Sequence, residues 1–348
     1  MAIGRLKSTK KLKNILLLFC GGTISMHKNE STGALDVAHG IDQFFKLEPR
    51  IKNLANITPK FIANIDSTNV DRAIWEKIII AIKLNYKKYD GFVVTFGTNT
   101  MAYASAALSF ALTNIGKPVV FTGAQIPAEA TFTDSRNNLV NALRLANMNL
   151  GGVFVVFGSK IILGCRAKKV SESRLDAFDT FNDRDFGEIG IGIKINKSSN
   201  QGHAEALVVK NGFEDNIVCL TLVPGLNASF IVNLINQGAK GLVLRAYGSG
   251  DIPYALLPAL KYAQKKKVPV VVTTQCPGGA TVMGLNDVGL RALEFGVIQA
   301  FDMCMEAMTT KLMWLLKQKT PYFKIKELMH KNMQGEVNTE TAKVYLGK

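Results

Sequence analysis

Lysine and arginine total 42 against 27 aspartates and glutamates, which leaves a formal charge of +15 on 348 residues that are 47% apolar and 20% charged. Such a chain can bury a proper core, which excludes a disordered tail, and its length is that of about two domains. The apolar runs at residues 15–19 and 78–82 end at glycine or charge well short of the roughly 20 residues that a membrane-spanning helix needs.

The N-terminal segment carries Arg5, Lys7, Lys10, Lys11 and Lys13, but the apolar stretch behind it lacks a small-residue cleavage site and does not read as a secretory signal. A cytoplasmic location is expected. Cys20, Cys165, Cys219, Cys276 and Cys304 are odd in number, widely spaced and without a CxxC pair, so they read as reduced packing residues. The positive charge would suit nucleic acid, an acidic partner or a membrane surface. Lysine is spread through the chain with no nucleic-acid motif, however, so a solvated surface without a nucleic-acid or membrane partner is expected.

In chain order, apolar runs ending in glycine or asparagine alternate with segments of helical period, which predicts a mostly parallel sheet covered by helices. Strands are expected at 14–19, 61–65, 92–95, 119–122 and 153–157. Between the second and third, residues 70–89 place Ile74, Ile78 and Ile82 at spacings of four, an amphipathic crossover helix. A polar stretch near residues 194–212, rich in serine, asparagine and glycine, breaks the alternation. It predicts an N-terminal α/β domain over 1–200, a linker at about 201–212 and a smaller C-terminal α/β domain over 213–348. Strands of the second domain are expected at 217–222, 241–245 and 268–273, with helices near 228–237, 258–265, 287–295 and 303–317.

In doubly wound sheets ligands gather beyond the carboxyl ends of the strands, which directs attention to four turns. Cys20-Gly21-Gly22-Thr23-Ile24 brings a hydroxyl beside two glycines, although alone it is more often a plain turn. Asp66-Ser67-Thr68-Asn69 either caps the amphipathic helix or holds a substrate carboxylate, and by itself capping is favoured. Phe96-Gly97-Thr98-Asn99-Thr100-Met101 opens a small-residue helix, and a helix N-terminus bearing hydroxyls suits an anion. Gly164-Cys165-Arg166-Ala167-Lys168-Lys169-Val170 carries lysines, one of which becomes a base if its pKa is depressed, although most such lysines are simply solvated.

Together with Phe121-Thr122-Gly123-Ala124-Gln125-Ile126-Pro127, Asp134 with Asn138, Asp176-Ala177-Phe178, Tyr247-Gly248, Thr274-Gln275-Cys276 and Thr310-Lys311-Leu312, the set resembles the asparaginase/glutaminase family of amidohydrolases. It is closest to the cytoplasmic type I branch. The resemblance implies a two-domain asparaginase-like fold, with a larger N-terminal doubly wound, mostly parallel sheet and a smaller C-terminal α/β domain. It also implies hydrolysis of a side-chain amide, L-asparagine or a relative, through a threonine acyl-enzyme, without cofactor or metal, in a homodimer or homotetramer. Carried over by position, Thr23 is the nucleophile, Thr98 the second catalytic threonine, Lys169 its partner and Ser67 a ligand of the substrate carboxylate. Thr68, Asn99, Ala124 and Gln125 complete the substrate pocket.

Three positions depart from the family pattern. Asn99 stands where an acidic residue receives the substrate ammonium and couples to the lysine. The flap tyrosine has no counterpart in residues 25–37, falling near Ala34, and a further tyrosine is replaced near Asn286. Loss of a carboxylate beside Lys169, with Lys168 adjacent, is expected to lower the lysine's pKa. An ammonium buried without its anion would forfeit about 3 to 5 kcal/mol, and loss of an activating tyrosine about 10² to 10⁴ in rate. Asparagine is therefore expected to be a poorer substrate than an amide whose amine is neutral, acylated or absent.

The alternative of a different class is a catalytically degenerate asparaginase-fold protein that binds or regulates. A third, a component of a tRNA-dependent amidotransferase, is disfavoured because such chains carry an additional N-terminal domain. His27, His39, His203 and His330 lack metal-ligand spacing, Met303, Met305, Met308 and Met313 read as helical core, and Gly248-Ser249-Gly250 lacks the third glycine of a dinucleotide loop.

Overall fold

The computed structural model describes residues 12–22, 48–128, 130–196 and 205–340. Five strands lie parallel in the spatial order Asn56–Phe61, Asn14–Phe19, Gly91–Thr95, Pro118–Thr122 and Gly152–Phe157. Lys160–Leu163, Gly187–Ile189 and Ile193–Ile195 continue the same sheet antiparallel, making eight strands.

Side chains alternate faces along a strand, and the sorting here is clean. Leu16, Leu18, Phe92, Val94, Phe121 and Val155 enter one core, against the helices Arg72–Asn85 and Met101–Ala111. Ile15, Leu17, Val93, Val120, Phe154 and Val156 enter the other, against the helix Ser135–Ala146. Because both faces are covered, every strand position from Gly91 to Thr95 and from Pro118 to Thr122 is buried, which is why these strands read as unbroken apolar runs.

The edge strand is where the sequence expectation fails. The expected strand at 61–65 lies instead at Asn56–Phe61, paired in register from Asn14 with Asn56 to Phe19 with Phe61. Its side chains alternate polar and apolar, Asn56, Thr58 and Lys60 with Ile57, Pro59 and Phe61, and all but Ile57 are exposed, so it lacks the unbroken apolar run of the buried strands; Pro59 is tolerated at such an edge. Residues 62–65 then form the turn that delivers Asp66. The amphipathic helix is capped by Asp71, whose side chain accepts from Ala73 N at 2.9 Å. Asp66 instead caps the short turn Ser67–Asn69, so residues 67 and 68 are not spent on the helix.

The second domain is a four-stranded parallel sheet of Ile217–Thr221, Gly241–Ala246, Val270–Thr274 and Ile298–Gln299. We place the boundary between the domains at about 201–212, where Val208–Val209 pairs antiparallel with Leu112–Thr113. The helix Met305–Lys317 packs on Met101–Ala111, with Phe110 and Trp314 stacked at 6.3 Å, and Met303 and Met308 are buried in the shared core. Cys20, Cys165 and Cys304 are buried as expected, whereas Cys219 and Cys276 are exposed. Among the described residues no helix is long and apolar enough to cross a membrane.

Candidate active site

From Asn14–Phe19 the chain moves to one neighbouring strand and then crosses to the other side, so the sheet's switch point lies between Asn14–Phe19 and Gly91–Thr95. Ligand crevices form beyond the carboxyl ends of strands at such a point. The turns there press together. At Gly22, φ is +88° and a Cβ would fall 2.6 Å from Gly97 N; at Gly97 a Cβ would fall 2.5 Å from Ser67 Oγ. Only glycine permits that approach, and it brings the first three turns into contact.

A chain of hydrogen bonds runs through the crevice. Lys169 Nζ donates to Thr98 Oγ1 at 2.8 Å and to Asn99 Oδ1 at 2.9 Å. Asn99 Nδ2 donates to Thr68 Oγ1 at 3.0 Å, and Thr98 Oγ1 donates to Gln125 Oε1 at 3.1 Å. Gln125 is oriented by its own amide hydrogens, which donate to the carbonyls of Glu172 at 2.9 Å and Arg174 at 3.2 Å. With its donors engaged, Gln125 presents only its oxygen to Thr98. Thr100 Oγ1 ties the crevice floor together by donating to the Ser67 carbonyl at 2.7 Å.

Lys169 is partly buried, and desolvation lowers its pKa, while the Glu172 carboxylate pulls the other way. The expected direction holds, but its cause differs. In the strand Ala167–Lys169 adjacent side chains face opposite sides, and Lys168 turns to Glu306 at 3.6 Å and lies 5.5 Å from the centre of the Phe181 ring. Its charge is engaged outside the crevice. Asn99 is exposed, so the cost of the missing carboxylate is also smaller than the buried-pair figure of about 3 to 5 kcal/mol.

Two buried groups hold the frame. Asp134 accepts from Gln125 N, Ile126 N and Asn138 Nδ2, all within 3.1 Å, which fixes the turn carrying Gln125. Arg166, 2% exposed, donates to Gly335 O at 2.7 Å and pairs with Asp302 at 3.0 Å. Three residues before Lys169, it anchors the lysine hairpin to the second domain.

Thr68, Thr98, Asn99, Gln125 and Lys169 are thus brought into one network, with buried Ser67 against its floor. The Ala124 side chain is 2% exposed and packs in the second core, so in the substrate pocket it would serve through its backbone. Thr23 and the flap position Ala34 lie outside the described residues. Asn286 donates to Asp251 Oδ2 at 2.8 Å. Sequence reasoning missed the carbonyls of Glu172 and Arg174, because a backbone acceptor leaves no residue-type signal.

A hydroxyl in contact with a lysine of lowered pKa, at the switch point of a doubly wound sheet, is equipped for acid–base chemistry. Residues 14–201 match the family model for the asparaginase N-terminal domain, and residues 216–329 that for the glutaminase/asparaginase C-terminal domain. The chain belongs to the asparaginase/glutaminase family of amidohydrolases, and its fold is the two-domain asparaginase fold. It is 35% identical to L-asparaginase 1 of Escherichia coli K12 over 335 residues, covering 94% of this chain and 99% of that one. The solved thermostable L-asparaginase from Thermococcus kodakarensis superposes with a TM-score of 0.88 at 35% identity, over 93% and 99% of the two chains. A glutamyl-tRNA(Gln) amidotransferase component from Thermococcus kodakarensis is 32% identical over 95% of this chain and 78% of its own length.

Proposed function

We propose that the protein hydrolyses the side-chain amide of L-asparagine or a related amide through a threonine acyl-enzyme. The Thr23 hydroxyl attacks the amide carbon, the C–N bond breaks and ammonia leaves with the hydroxyl's proton. Water then cleaves the ester and restores the Thr23 hydroxyl with its proton. Thr98 and Lys169 carry these protons: the Thr98 hydroxyl turns its proton from Gln125 Oε1 to neutral Lys169 and passes it there as it takes one from the attacking hydroxyl. Ser67 receives the substrate carboxylate. The observation that carries this reading is the 2.8 Å contact between Lys169 Nζ and Thr98 Oγ1, together with the lowered lysine pKa.

Asn99 sets the substrate preference. Its oxygen accepts from Lys169 and one amide hydrogen is given to Thr68, which leaves a donor and no charge for the substrate. Amides whose amine is acylated or absent are therefore turned over better than asparagine. Ammonia release from asparagine, glutamine, N-acetylasparagine and succinamate, measured beside Thr23→Ala, tests the reading. Equal background rates for both proteins sink it and leave the binding or regulatory role, which the uncharged Asn99 favours. We further propose a homodimer or homotetramer in the cytoplasm, with light scattering to read the assembly; a monomer would refute that part alone.

A further inference from the structure

Lys261, Lys265, Lys266 and Lys267 fall within seven residues of sequence, and folding brings Lys240 beside the end of that run. In the second domain's parallel sheet the connections into successive strands fall at one end. Lys240 therefore precedes Gly241–Ala246 where residues 265–267 lead toward Val270–Thr274. A hollow of about 410 Å³ opens there, and a shallower one of about 500 Å³ lies along one face of the helix Leu257–Lys265. Lys240, Lys266 and Lys267 line the first, Lys261 and Lys265 the second, and all five are exposed.

Among the described residues lining either hollow, Glu214 is the only carboxylate. Its Oε1 already accepts from Asn216 N and Nδ2, each at 3.1 Å. None of the five ammonium groups is in an ion pair among the described residues, although Lys266 Nζ lies 5.5 Å from the centre of the Tyr262 ring. Gln264 leads on to the helix Tyr322–His330: a Cβ at Gly296 would meet Gln264 Nε2 at 3.4 Å and the Tyr322 hydroxyl at 3.8 Å. At the start of that helix Phe323 is 76% exposed, with Lys324 beside it.

We propose that this face binds single-stranded RNA, with the phosphate backbone in the lysine-lined hollows and a base stacked on Phe323. Cations without a carboxylate partner, in and beside a hollow, suit a phosphate chain, and an exposed ring accepts any base. A lipid surface is flat and reaches only the edge of the first hollow, and a second copy of this chain brings the same positive charge. This face is built from the second domain's amino-end loops and shares no residue with the crevice that carries Thr98 and Lys169, so the binding is independent of amide hydrolysis.

Fluorescence anisotropy of a labelled oligouridylate tests it on the full chain. Contact with about five phosphates gives a slope of log affinity on log salt of about −3.5. Lys240→Glu/Lys266→Glu/Lys267→Glu is expected to weaken binding by about tenfold or more at low salt and to flatten that slope. Phe323→Ala is expected to cost about tenfold with the slope unchanged. Ammonia release and thermal melting of the triple variant, matching wild type, show that it folds. Absence of salt-dependent binding overturns the proposal. So does a triple variant that binds like wild type while Lys7→Glu/Lys10→Glu/Lys11→Glu does not, since the N-terminal segment is then the binder. Phosphatidylserine vesicles or polyglutamate that bind while the oligouridylate does not would assign the face to a membrane or an acidic protein instead.

Discussion

Replacing Asn99 by aspartate puts a carboxylate oxygen where an amide oxygen now accepts from Lys169 Nζ at 2.9 Å. Two unit charges 4 Å apart attract by about 1 kcal/mol in bulk water and by about 4 kcal/mol near a protein surface. Asn99 is exposed and Lys169 only partly buried, so the lower part of that range applies, about 1 to 2 kcal/mol. At about 1.36 kcal/mol per tenfold, the pH at which Lys169 becomes neutral rises by about one unit. The sign is fixed by the lysine's role. Wild-type rate rises with pH as Lys169 loses its proton, at a pH held down by desolvation, and Asn99→Asp moves that limb upward. The new anion also receives the substrate ammonium, so KM for asparagine falls by about five- to thirtyfold, the same energy read in binding. KM for succinamate, which has no ammonium, does not fall. Initial rates of ammonia release across about pH 6 to 10 with both substrates measure both effects. A limb that stays in place, or a KM that falls equally for both substrates, would refute the reasoning.

Other substitutions probe the network and the frame. Lys169→Met removes the proton acceptor and is expected to lower kcat by about 10² to 10⁴ without unfolding the protein, read by rates beside a thermal melt. Gly97→Ala drives a Cβ to 2.5 Å from Ser67 Oγ and is expected to cost about 1 to 3 kcal/mol of stability, measured by urea unfolding. Lys311→Met leaves Glu336 buried without its cation, both side chains being 0% exposed in the pair. A loss of about 3 to 5 kcal/mol is expected, with Lys311→Met/Glu336→Gln recovering part of it in the same assay.

The parallel core was legible because strands buried on both faces carry unbroken apolar runs, as in residues 92–95 and 119–122. The edge strand Asn56–Phe61 was not, because it alternates polar and apolar residues, includes Pro59 and is largely exposed, so it lacks the apolar run that marks the buried strands, and its backbone ladder to Asn14–Phe19 defines it. At the site, the motifs pointed to Thr98, Asn99, Gln125 and Lys169, which share one hydrogen-bonded chain. The carbonyls that orient Gln125, and the turning of Lys168 toward Glu306, depend on hairpin geometry that residue type does not encode. Of the charge excess, the run from Lys261 to Lys267 was visible in the sequence, and only its meeting with Lys240 depends on the parallel sheet returning its loops to one end.

Intact-mass analysis of enzyme quenched during turnover tests the central claim most directly. An acyl adduct is expected on the wild-type protein during turnover, and none on Thr23→Ala. No adduct in either protein, with ammonia release undiminished in Thr23→Ala, would contradict it.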